Sequence, residues 1–217
     1  MDQIGLITLC LIIANGLVTY KGLQDYGFFR KLCFNVGAIL TNRDYKRLVT
    51  SGFLHADWSH FFFNMFTLYI FSENLEAYIG RSFFLIIYFA SLIGGNLLAL
   101  YIHRHHHQYT AIGASGAVSG LVFASIGLFP GMKLGFILLP FYFPAWLYGI
   151  GYVLYCIYGI RSQRDNIGHE AHLGGGIIGL LIAIAIAPGI LVSNLFPIVM
   201  ILAPSLAFLY LVLSKRI

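Results

Sequence analysis

The sequence is poor in charge, and acidic residues are the scarcest: 8 Asp and Glu against 13 Lys and Arg, with 10% charged residues in all. Soluble globular domains carry roughly 25% charged residues. A chain this poor in charge cannot cover a water-facing surface, and lipid must cover much of it. Cysteine is scarce too. Cys10, Cys33 and Cys156 are odd in number, and two of them lie within apolar runs, which excludes a disulfide framework. No acidic or basic block suggests a nucleic-acid partner, because the cations that give the net charge of +5 sit in short stretches between apolar runs. The N-terminal run starts with Asp2 and lacks the Lys or Arg of a secretory leader, so it reads as a retained helix.

What is abundant is apolar: 59% hydrophobic residues and a mean hydropathy of +0.83. The runs are Ile4 to Tyr20, His60 to Ile79, Phe83 to Ile102, Ser115 to Phe129, Leu134 to Tyr158, Ala171 to Ala187, and Ile190 to Leu213, the last broken by Pro197 and Pro204. A spanning helix needs about 20 apolar residues. The expected fold is therefore all-α, a polytopic transmembrane bundle within one membrane domain over 1–217. Its core lies at 4–187, with a further transmembrane helix at 190–213. The long stretch from Lys21 to Ser59 mixes aromatics with cations and suits the headgroup zone. Gly80-Arg81, Pro130 to Lys133 and Arg161 to Gly168 read as turns.

The fourth run is short. From Ser115 to the stop at Pro130 it has room for fifteen residues, about 22 Å of helix against a hydrocarbon core of about 30 Å. This helix should start below one membrane face, beside a wet cavity, since irregular backbone at that depth needs protein or water around it.

Polar residues inside spans default to functional hypotheses. Ser115 opens the fourth run and His172 the sixth. His60 and Asn64 lie i and i+4 on one face of the second. A Ser with a His is the minimum for nucleophilic acyl transfer. A His and an Asn one turn apart offer donors for an oxyanion. Singly, each is more often structural: a lone Ser bonds back to its own helix, a lone His packs, and an Asn glues helices. The small residues around them strengthen the pair. Gly116, Gly120 and Ala124 follow Ser115 every four positions, and Ala171, Gly175 and Gly179 surround His172 in the same way. If these stripes pack together, Ser115 and His172 meet.

These residues carry a family resemblance. Gly113-Ala114-Ser115-Gly116 resembles the GxSG motif of rhomboid intramembrane serine proteases. Ala171-His172-Leu173-Gly174-Gly175 resembles their AHxxG, and His60 and Asn64 their HxxxN. Glu76, Gly80 and Arg47 also fall at matching places, so the resemblance covers Arg43 to Leu180. It implies a six-helix rhomboid-like core with an added seventh helix. It further implies Ser115 as nucleophile, His172 as general base without a third carboxylate, and an oxyanion hole of His60, Asn64 and the Ser115 N–H shaped by Gly113. Gly116, Gly120, Gly175 and Gly179 would pack the helices at the site. The partners would be the lipid bilayer and transmembrane protein substrates, with no cofactor and no metal. Two positions depart from the pattern. Lys46 stands where the family has Trp, and Ser119 stands where it often has an aromatic that packs on the catalytic His.

His169-Glu170-Ala171-His172 fails the HExxH zinc pattern by one residue, and Gly113 to Ala117 fails the GxSxG of soluble hydrolases. His103 to His107 reads as a solvated loop, since no acidic residue or Cys is beside it in sequence. The cations conflict with the family topology. Placing the Ser115 end outside leaves Arg30, Lys31, Arg43, Lys46, Arg47, Arg161 and Arg164 outside, against Arg81 and Lys133 inside, which opposes the positive-inside rule. Following the resemblance, the expectation is a bacterial inner or plasma membrane with the site toward the outer face. The alternative function is an inactive rhomboid-like protein that binds or escorts membrane clients.

Overall fold

The computed structural model describes residues 4–136, 139–162 and 167–214. The apolar runs form helices, and most of the chain lies in them. The first is α1 (Leu6–Gln24). The Lys21 to Ser59 stretch that follows is a compact set of short elements: α2 (Tyr26–Leu32), β1 (Phe34–Asn35), α3 (Val36–Asn42), α4 (Arg47–Thr50) and a 3-10 turn (Ser51–Phe53). Its caps are written in the sequence. The Asp25 carboxylate accepts from the Phe28 N–H at 2.9 Å and the Asn35 side-chain Oδ1 from the Ala38 N–H at 2.8 Å, each satisfying a donor that the helix start leaves open. Arg47 fastens the whole stretch. Its guanidinium donates to Asp44 at 2.8 Å and to the carbonyls of Arg30 and Cys33 at 2.8 and 2.7 Å. Lys46 points outward and pairs with the Asp44 carboxylate at 3.3 Å. The loop is thus anchored by Arg47 without the family's Trp beside it.

Next comes α5 (Trp58–Ile102), divided by Gly80, whose φ of +76° is open to glycine. Its halves, 58–79 and 81–102, run back along α1 in opposite directions. Glu76 accepts from the Ile7 and Thr8 N–H groups at the start of α1, while Phe61 of one half and Tyr88 of the other meet the middle of α1 at Gly16 and Asn15. After β2 (Thr110–Ala111) come α6 (Ser115–Leu128), a hairpin of β3 (Lys133–Phe136) and β4 (Leu139–Pro144), α7 (Ala145–Ser162), α8 (His169–Ile186), a short α9 (Ile190–Ser193) and α10 (Leu195–Leu213).

The hairpin corrects the expected fifth span, which starts at Ala145 rather than Leu134. Pro140 and Pro144 each remove a backbone donor and clash with the preceding helical turn. The antiparallel pairing of Leu134 with Phe143 uses that stretch instead. Of the turn expected at Arg161 to Gly168, residues 163–166 lie outside the described residues, and Arg161 and Ser162 still belong to α7. α10 accommodates Pro197 in its first turn and carries Pro204 inside. The Asn194 amide before it donates to the carbonyls of Ile126 and Gly127 at 2.7 and 3.0 Å, closing the C-terminal end of α6.

Four described helical segments are long and apolar enough to cross a membrane: Leu6–Gln24, Asn74–Ile102, His169–Ile186 and Leu195–Leu213. Their outer faces, and those of 58–79 and α7, expose large apolar side chains such as Leu17, Phe63, Leu154 and Phe196. A water-soluble monomer rarely exposes such a continuous apolar surface. The molecule is a polytopic helical bundle. At its centre, every residue of α6 from Gly116 to Leu128 is buried. Glycines bring α6 against α8. A Cβ built on Gly175 would fall on the Gly116 carbonyl, and one on Gly179 on the Gly120 carbonyl. The 81–102 half of α5 closes the third side, with Gly95 against the Ala171 carbonyl and Ser91 against Gly120.

Candidate active site

Four polar side chains converge where α6, α8 and the start of α5 meet. Two hydrogen bonds place the loop before α6. The Gly113 N–H donates to the Ser51 carbonyl at 3.0 Å, and β2 pairs antiparallel with β1, Phe34 opposite Ala111. Gly113 then turns with φ +121°, a conformation that side chains resist, and the chain enters α6 at Ser115. A Cβ on Gly113 would stand 2.9 Å from the His60 ring, so glycine is also needed there for space.

From the facing helix, His172 Nε2 lies 2.5 Å from Ser115 Oγ. The glycine contacts between α6 and α8 fix the register that makes this possible. The N-terminus of α8 is tied down separately. Glu170 bonds His103 Nε2 at 2.9 Å, with both side chains buried, and the His103 ring stacks on Tyr109 at 3.7 Å. This overturns the reading of His103 as a solvated loop residue: its acidic partner comes from a distant helix. Burial first, and then the Glu170 charge, pushes the Tyr109 phenol up, so it stays protonated beside the pair.

His60 and Asn64 approach from the first turns of α5. The Asp57 carboxylate caps that helix, accepting from the His60 N–H at 2.7 Å. His60 Nδ1 accepts from the Ala56 N–H at 3.4 Å, which leaves the ring proton on Nε2, beside Gly113. The Asn64 amide donates to the His60 carbonyl at 3.0 Å and keeps a second N–H. Behind His60, His55 packs edge-to-face at 4.9 Å. The Thr19 hydroxyl donates to the Phe53 carbonyl and accepts from His55 Nδ1 at 2.8 Å. Burial first, then the neighbouring His60, lowers the His55 pKa to about 3, so its ring is neutral at pH 7.

Ser115, His172, His60 and Asn64 all line one cavity of about 450 Å³, together with Thr67, Tyr148 and Tyr152. Tyr152 was not singled out in the sequence. It rises from α7, stacks on His172 with centroids 5.9 Å apart and planes within 15°, and shares a hydrogen bond of 3.0 Å with Ser119 Oγ. Tyr148 stacks on it in turn. The aromatic that is missing at Ser119 is replaced from another helix. The signal was present as Tyr148, Tyr152 and Tyr155, which share one face of the fifth span. Among metal-ligating groups, Cys156, His169 and His172 converge, although no metal was expected.

A rhomboid domain model matches residues 42–189. The chain belongs to the rhomboid family. Among its relatives, the RHOMBOID-like protein 12, mitochondrial, of Arabidopsis thaliana is 32% identical over 62% of this chain and 44% of its own length. Rhomboid protein 1, mitochondrial, of Saccharomyces cerevisiae is 29% identical over 66% of this chain and 43% of its own. The rhomboid protease AarA of Providencia stuartii is 28% identical over 70% of this chain and 59% of its own. The chain thus spans about half the length of these relatives, and the rhomboid match takes in all four converging side chains.

Proposed function

We propose that this chain is an intramembrane serine endopeptidase acting on transmembrane helices of other membrane proteins. The observation that carries the reading is the 2.5 Å approach of Ser115 Oγ to His172 Nε2 within a cavity that also holds His60 and Asn64. Ser115 attacks the scissile carbonyl while His172 takes its proton. His60 Nε2–H, the free Asn64 N–H and the Ser115 backbone N–H donate to the oxyanion. His172 then returns the proton to the leaving amine. Water, activated by the same imidazole, releases the acyl group. The 58–79 half of α5 and α7 bound the cavity through Phe63, Thr67 and Tyr148, which supports lateral approach of a substrate helix between them. A helix must unwind to present its carbonyl, so helix-breaking residues near the cut are expected.

The relatives come from mitochondria as well as bacteria and do not support the bacterial plasma membrane in particular. The proposal retains only a multi-pass membrane with the cavity near one face. The test is purified protein in liposomes with a transmembrane substrate and a fluorophosphonate probe. Wild type cleaves and is labelled, and Ser115→Ala and His172→Ala lose cleavage. Cleavage that survives Ser115→Ala would sink the mechanism. A folded wild type that neither cleaves nor labels would replace it with the client-binding reading.

A further inference from the structure

The imidazole that faces Ser115 has two further metal-ligating side chains around it. Cys156 lies on α7, and His169 and His172 lie on the first turn of α8. One donor atom of each lies within 4.8 Å of the other two, with Cys156 and His169 buried and His172 partly so. The spacing i, i+3 sets both imidazoles on one side of α8. Gly159, one turn beyond Cys156, admits the His169 ring onto the α7 backbone: a Cβ there would overlap it. Bonds of about 2.0–2.3 Å to a tetrahedral zinc ion separate its donors by roughly 3.3–3.8 Å. Side-chain shifts of about an ångström therefore complete the set. A thiolate with two imidazoles suits zinc over the hard, oxygen-seeking cations, and three protein ligands leave a fourth position for water. The thiolate supplies one negative charge. His172 and Gly168 also line the open cavity, which gives the ion a path.

We propose that Cys156, His169 and His172 form a zinc(II) site whose occupancy and the chemistry at Ser115 exclude each other. Binding forms one zinc–sulfur and two zinc–nitrogen bonds and displaces the Cys156 thiol proton, which leaves to solvent; where zinc takes Nδ1 of His172, the proton on that nitrogen gives way to one on Nε2. A neutral imidazole has one nitrogen lone pair. If His172 gives it to zinc through Nδ1, the ring proton sits on Nε2 and the ring cannot take the Ser115 proton. If it binds through Nε2, it leaves Ser115 altogether. Either way the general base is lost. The inhibitory half of this inference rests on the protease reading; the binding half does not.

The test uses the purified full-length protein. Cobalt(II) serves as a spectroscopic stand-in, zinc is titrated against a chromophoric chelator, and cleavage and fluorophosphonate labelling are followed in parallel. About one ion per chain should bind wild type, with a thiolate-to-cobalt absorption band. Zinc should suppress labelling and cleavage, and a chelator should restore both. Cys156→Ala and the near-isosteric Cys156→Ser should lose the band and require at least tenfold more zinc for inhibition. Their labelling without zinc should match wild type, which certifies folding. Replacing the exposed His105 and His107 by Ala should change none of this. Absence of the band, or equal zinc affinity in the Cys156 variants, would overturn the site. Binding without loss of labelling would overturn the mutual exclusion. A band in a protein that never cleaves or labels would leave the metal site standing and remove the protease reading.

Discussion

At the scale of single residues, the site is a set of polar groups whose orientation is set by their neighbours. Tyr152 is the clearest case. Its ring backs His172 while its hydroxyl is held by Ser119, an arrangement that stacking favours by roughly 0.5–1.5 kcal/mol. Tyr152→Ala should lower kcat about tenfold, as losing about 1.4 kcal/mol at the transition state would, with KM little changed. Tyr152→Phe keeps the stack and should stay within about threefold. Steady-state kinetics on a transmembrane substrate checks both. His55 gives a pH prediction. Its folded pKa of about 3 lies below the ordinary 6.5, so between those values the unfolded chain binds more protons. The contribution of the neutral ring is complete above pH 6.5 and is lost as pH falls toward 3. The thermal midpoint should drop on moving from pH 7 to pH 5, by the equivalent of about 2 kcal/mol, and the drop should shrink in His55→Gln. Ser115 and His172 were legible in the sequence because hydroxyl and imidazole groups stand out in apolar runs. The tie from His103 to Glu170 was not, because its partners are 67 positions apart and nothing local marks either one.

Among the elements, the contact of α6 with α8 sets the geometry. Gly179→Ala pushes a methyl into the Gly120 carbonyl and should cost about 1–3 kcal/mol, with labelling of Ser115 reduced as the helices separate. Gly151→Ala on α7 meets nothing within 4 Å. It should be neutral, or stabilising by up to about 1 kcal/mol from helix propensity. Thermal unfolding of both variants in the same detergent makes the comparison. The short α6 could be foreseen because Pro130 stops it, and the glycine spacing could be read directly. The β3–β4 hairpin could not. A continuous apolar, aromatic run has no alternation to separate strand from helix, and only the two prolines argued against a span.

For the whole molecule, the question is how much of the chain the site needs. We propose that residues 4–187 form the working core and that α10 supports it from outside. α10 packs Ile201 against Gly149 of α7, and Asn194 closes the end of α6 remote from Ser115. A chain ending at Gly189 should therefore unfold at lower temperature yet still label at Ser115. Loss of labelling in a truncated chain that retains its helical circular dichroism would show that the last helix belongs to the core.

The contact between α6 and α8 also bears on how such a protein could be controlled. At its closest points it is backbone against backbone, at Gly175 on the Gly116 carbonyl and Gly179 on the Gly120 carbonyl, where there is no rotamer to exchange. Sliding one helix by a turn would move Ser115 and His172 apart by about 5 Å. If the chain is the protease proposed above, the pair already stands assembled without a substrate, and a substrate would not be needed to bring its members together. Under that reading, timing would come from admission: from α7 and the aromatic-faced start of α5 moving apart, and from the readiness of a client helix to unravel between them.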